Sequence, residues 1–199
     1  MKERNPFLLR TLERIQSDSD FLRLFSPKVL EAILNELPIE SLWNQFFTFQ
    51  SSPGGGKTSV FKVFTPSPLV TLCEMEETPE RLEELYQCLL KINAISEGKP
   101  ALLGVYLSCS RNYDTLEDLK IDSIKKERLF YTLLNARILV STLKSALVLK
   151  GLSFPKDLKK IKIKIPLDIE LPPDFPLDGI GDKIYSWASN IEKNIYKEI

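Results

Sequence analysis

Between Phe49 and Lys62 the chain reads FQSSPGGGKTSVFK, with Gly54, Gly55 and Gly56 in a row ahead of Lys57, Thr58 and Ser59. Residue types in that order suit phosphate binding. Glycine allows torsions in which successive main-chain N–H groups turn inward on an anion, where side chains would block the approach. The Lys57 ammonium would reach the terminal phosphates of a nucleotide, and the Thr58 hydroxyl would bind the magnesium those phosphates carry. A helix starting here would add its positive N-terminal end. The phosphate-loop pattern is Gly-x-x-x-x-Gly-Lys-Ser/Thr, and residues 51–58 follow it except that Ser51 holds the first glycine position. The bland alternative is a flexible turn that carries a lysine. Context favours the phosphate loop, because the aromatic run NQFFTFQSS, expected as a buried strand, ends just before the glycines and a helical start follows them.

Two absences remove other chemistry. The sequence has no histidine, which excludes imidazole triads, histidine general bases and the commonest zinc ligands. Cys73, Cys88 and Cys109 form no Cys-x-x-Cys pair and are expected as free thiols. Lys plus Arg and Asp plus Glu both number 27, so no overall positive field draws in nucleic acid, and any basic surface must be local. The amino terminus, MKERNPFLLRTLERIQ, interrupts every apolar stretch with charge and lacks the core of a secretory signal. Arg137 and Lys144 break the most apolar long segment, short of the roughly 18 apolar residues a membrane span needs. A cytoplasmic protein with no membrane partner is expected.

The elements that would hold the glycine loop alternate. Residues 1–45 look like a helical lead-in, with Ser26 as an N-cap, Pro27 in a first turn and a stop before Pro38. KTSVFKVF allows about two helical turns, after which Thr65 and Pro66 repeat the Ser26 and Pro27 arrangement. PERLEELYQCLLKINAI has helical spacing, SEGKP is a turn, and ALLGVYLSCS is a continuous apolar run of the kind that forms a central strand. The longest helix should run from Asp122 or Ser123 to a C-terminal cap at Gly151. Residues 151–178 are irregular and rich in proline and lysine. Within them Ile161, Ile163 and Ile165 alternate with lysines as on a half-buried edge strand, and GDKIYSWASNIEKNIYKEI closes the chain as an amphipathic helix. The order strand, helix, strand, helix predicts one α/β domain over residues 1–199, a parallel sheet flanked by helices and rich in helix.

The phrases SSPGGGKTS behind FFTF, LRLFSPKVL, GGGKTSVFKVFTP, LGVYLSCSRNY, RLFYTLLNARIL and LKGLSFPKDL resemble P-loop ATPases of the AAA and origin-recognition-like group, in uncharacterised bacterial members larger than this chain. The similarity covers about residues 20 to 160. It implies a P-loop fold with ATP and Mg2+ as cofactors and an amino-terminal portion of a larger ATPase. It assigns phosphate contacts to Pro53, Gly54, Gly55, Gly56, Lys57, Thr58 and Ser59, a catalytic role to Lys57 and the metal to Thr58. A homo-oligomer or larger assembly is the implied partner.

Hydrolysis also needs an acidic residue at the end of a later strand to hold magnesium. The nearest candidate is IKIPLDIE, where Pro166 interrupts the strand and Asp168 and Glu170 are separated, so the acidic strand is expected beyond Ile199. Arg111 is read as an exposed loop residue before a phosphate contact. Asp114, Glu117 and Asp118 are read as helix-initiating carboxylates before a cation site, and the lysines at 159, 160, 162 and 164 as a solvated edge before a nucleic-acid contact. Glu76, Glu77, Glu83 and Glu84 read as a wet helix face, and Trp43 and Trp187 as anchors. Two rivals to a nucleotide-driven ATPase stay open. One is a small phosphotransferase, against which the scarcity of arginines after Arg81 speaks; the other is an interaction module with a vestigial nucleotide pocket.

Overall fold

The structure is a computed structural model and describes residues 17–36, 39, 42–50, 56–75, 80–107, 116, 119–166 and 168–197. They fall into two compact units, one ending at Leu103 and the other beginning at Gly104.

The first unit is helical. Helix α1, Asp18–Leu24, is opened by Ser17, whose hydroxyl accepts the Asp20 N–H at 3.3 Å. Helix α2, Pro27–Glu36, has Pro27 in its first turn as the sequence predicts, where a missing N–H costs nothing. Helix α3, Lys57–Val63, and helix α4, Pro66–Cys73, are separated by Phe64 and Thr65. Pro66 starts α4, but the Thr65 hydroxyl turns back to donate to the Lys62 carbonyl at 2.6 Å and does not cap the new helix. Helix α5, Glu80–Lys91, completes the set. Phe21, Leu30, Leu34, Val63, Leu69, Leu85 and Leu89 close a single core among the five helices. A short hairpin follows, β1 at Ile95–Ser96 and antiparallel β2 at Lys99–Pro100. Glu97 and Gly98 join them with φ of 50° and 72°, the two positive values a two-residue hairpin turn of this hand requires.

The second unit is built on helix α6, Ser123–Leu149, and helix α7, Gly181–Lys197. Apolar residues on α7 recur at helical spacing, Ile184, Ala188, Ile191 and Ile195; Ile184 clusters with Leu143 and Leu147 of α6, Ile191 and Ile195 with Leu133, and Ala188 is buried. Arg137 of α6 crosses to Glu192 at 3.0 Å and to the Tyr196 hydroxyl. By length and composition α6 is apolar enough to cross a membrane, but its buried stripe is what α7 covers here. Between the helices, the described residues of 150–180 form turns, irregular stretches and a 3-10 turn at Leu158–Lys160. The predicted isoleucine and lysine alternation is present, with Ile161 buried, Ile163 and Ile165 half-buried and the lysines exposed. It pairs through a single antiparallel bridge, Lys162 with Ile180.

No parallel sheet is present among the described residues. Of the described residues 59% are helical, and the short hairpin is the only sheet among them. The α/β P-loop architecture expected from the sequence is therefore corrected to a helical one. NQFFTFQSS, read as a buried strand, and ALLGVYLSCS, read as a central one, are irregular where they are described, at 44–50 and 101–107, and Phe46 is 94% exposed. Their apolar and aromatic content fits a strand, but a strand is stabilised by neighbours that supply ladder hydrogen bonds and cover both faces. Leu103 and Tyr106 are exposed in the same way.

Asp122 opens α6 by accepting the Lys125 N–H at 2.9 Å. That amide, with the Lys125 side chain beside it, holds the carboxyl below the ordinary carboxylate range. A depressed carboxylate stabilises the fold above its unfolded value near ~4 and loses that contribution as pH falls through its folded value. Asp122→Asn keeps a capping oxygen but has no charge to titrate. We expect it to leave α6 formed at neutral pH and to flatten the loss of thermal stability as pH falls below about 4, measured by helical circular dichroism.

Candidate functional site

The described part of the glycine segment begins at Gly56. Its φ of 81° and ψ of 6° are left-handed, and α3 starts at the next residue. A Cβ placed on Gly56 would meet nothing within 4 Å, so the residue is glycine for its torsion and not for want of room. The helix ladder begins with the Val60 N–H on the Gly56 carbonyl at 3.1 Å. The Thr58 and Ser59 amides precede that ladder, as first-turn amides of any helix do.

Contacts from several directions fix α3. Val60 and Val63 enter the core and Ser59 is buried beside them, while Thr58 is exposed and Lys57 partly so. Lys62 lies 4.4 Å from the centre of the Phe21 ring and 3.3 Å from the Asp18 carboxylate, which binds α3 to α1. Phe49 meets Phe61 edge-on at 5.5 Å, so the chain leading into the glycine segment lies beside the helix leading out of it. Trp43 meets Phe64 edge-on at 5.7 Å and donates its ring N–H to the Ile92 carbonyl at 2.8 Å, a structural anchor as its sequence reading expects.

Of the predicted site residues, Gly56, Lys57, Thr58 and Ser59 are contiguous at the start of α3. Ser51, Pro53, Gly54 and Gly55 lie outside the described residues, as do Arg111, Asp114, Glu117, Asp118, Glu76, Glu77 and Cys109. Among the described residues no three of His, Cys, Asp and Glu gather as a metal site. Asp168 is exposed in a turn and not at a strand end. Cys73 and Cys88 are free thiols, and Glu83 and Glu84 are exposed on α5. Lys160 pairs with Asp157 at 2.7 Å, which makes that stretch of the lysine edge electrically mixed. Sequence reasoning missed Asp18, Phe21 and Lys62 as the fastening of α3. No local spacing rule joins residues so far apart in the chain; the only signal was a lysine on a helix that otherwise turns apolar residues inward.

Comparison of the chain with protein-family models, with curated proteins and with solved structures gives no match. The resemblance to P-loop ATPases therefore rests on the quoted phrases alone.

Proposed function

We propose that the chain binds the phosphates of ATP with Mg2+ through Gly54, Gly55, Gly56, Lys57, Thr58 and Ser59, and that nucleotide occupancy biases the conformation of a larger assembly. The observation that carries this is the left-handed Gly56 placed between the glycine run and the Lys57-Thr58 start of a helix. Gly98 and Gly151 take a similar positive φ in an ordinary hairpin turn and a helix cap, so the support lies in its combination with Lys57 and Thr58 at a helix start. Support comes also from Phe49, which meets Phe61 of α3 edge-on and so lies beside the helix that follows the glycine segment. In the proposed site the glycine amides receive phosphate oxygens, the Lys57 ammonium lies against the terminal phosphates, and the exposed Thr58 hydroxyl takes a position on magnesium. The proposal is one of binding, since the single carboxylate candidate for the magnesium side, Asp168, sits in an exposed turn.

Calorimetric titration with Mg2+ and ATP tests it. The unaltered chain should bind saturably, and Lys57→Ala should lose roughly 10- to 100-fold in affinity, the scale of one hydrogen bond to a charged group. Binding that survives Lys57→Ala unchanged contradicts the reading, as does no binding by the unaltered chain.

A further inference from the structure

A cleft of about 880 Å³ runs between α2 and α5 in the first unit. Its floor includes Leu34 and Cys88, both buried, and its rim carries Glu31, Glu80, Glu83 and Glu84. Among the described residues Lys91 is the one basic residue lining it. Burial, then Glu31, and more weakly Glu84, push the Cys88 thiol up, against a lowering pull from Lys91. The cleft thus has an apolar base under a negative rim, the form that suits a segment carrying both apolar residues and cations.

The chain contains such a segment. Residues 1–16, MKERNPFLLRTLERIQ, carry Lys2, Arg4, Arg10 and Arg14 against Glu3 and Glu13. Leu8, Leu12 and Ile15 recur at i, i+4 and i+7, and Arg10 and Arg14 at i and i+4. The segment joins the first unit at Ser17, the cap of α1, and α1 packs on α5, which forms one wall of the cleft. Even at helical rise sixteen residues span about 24 Å, enough to travel the length of α5. Tethering also gives the segment a high effective concentration that a separate partner lacks. We propose that residues 1–16 dock in the α2–α5 cleft of the same chain, with their leucines on Leu34 and their arginines on the glutamate rim. The proposal is independent of nucleotide binding.

Zero-length carbodiimide coupling of the full chain, read by mass spectrometry, tests it, because the reagent joins Lys2 only to a carboxylate it touches. A mixture of isotopically labelled and unlabelled protein separates links within a chain from links between chains. The expected result is an intrachain link from Lys2 to Glu31, Glu80, Glu83 or Glu84. It should fall several-fold in Arg10→Glu/Arg14→Glu and in ~1 M salt, where screening shortens to about 3 Å. As a second readout, the same double variant should raise the rate of Cys88 alkylation several-fold, since the segment covers that thiol. Lys2 links confined to other carboxylates, or to the same glutamates only between chains, overturn the proposal. An unchanged Cys88 rate in the double variant overturns it as well.

Discussion

Gly179→Ala should destabilise the second unit by about 3 kcal/mol or more, the range reserved for substitutions that force backbone to move. Gly179 has a φ of 70°, and a Cβ there would stand 2.1 Å from the Ile163 carbonyl oxygen. The contact is with backbone, so no rotamer change relieves it. The same two residues share a hydrogen bond, the Ile163 N–H on the Gly179 carbonyl at 2.8 Å, and its neighbour places the Gly181 N–H on the Ile161 carbonyl at 3.0 Å. These bonds hold the isoleucine edge against the start of α7, and any shift that makes room for a methyl group breaks them. Gly151 supplies the control: its φ is 64°, and a Cβ there meets nothing within 4 Å. Gly151→Ala should cost only the torsional term, about 1–2 kcal/mol. Denaturant unfolding of the two variants should therefore differ clearly in midpoint, and equal midpoints would contradict the close approach at Gly179.

Phe21→Ala should cost about 3–5 kcal/mol, measured as a loss of unfolding free energy in urea. Phe21 is fully buried in the cluster formed by all five helices of the first unit. Its ring stands 6.0 Å from that of Phe25, and the Lys62 ammonium lies over its face. Truncation removes the buried ring, leaves a cavity and strips the cation of its partner, so the transfer and cavity terms act together. Phe21→Leu, which keeps most of the volume, should cost less than half as much. Because Lys62 belongs to α3, the Ala variant should also loosen the helix that follows the glycine segment.

Local order was legible in the sequence wherever one segment decides its own conformation. Pro27 and Pro66 start helices, Asp122 caps the longest one, and Gly151 follows its end with a left-handed torsion. Each is a preference of one or two residues that needs nothing distant. The alternation at Ile161, Ile163 and Ile165 was legible for the same reason, since a period of two fixes which side chains share a face.

Strand assignment failed because it depends on partners. FFTF and ALLGVYL carry residues that favour strands, yet neither run contains information about which other segment supplies its ladder. The parallel sheet was an inference from the order of elements, and it fell with those two strands. The candidate site was legible only as composition, and Gly56 does take a left-handed torsion just before a helix. The fastening of that helix by Asp18 and Phe21 was not legible, because both lie in a segment with no local reason to meet Lys62.

Phosphate binding by the glycine segment would act on main-chain amides, which amide NMR observes directly. On titration of the 15N-labelled chain with ATP and Mg2+, the Gly54, Gly55, Gly56 and Thr58 N–H resonances should move together and saturate, and inorganic tripolyphosphate should move the same set. Resonances in that segment that stay still at saturating ATP, or that move only outside it, would contradict phosphate binding by the glycine loop.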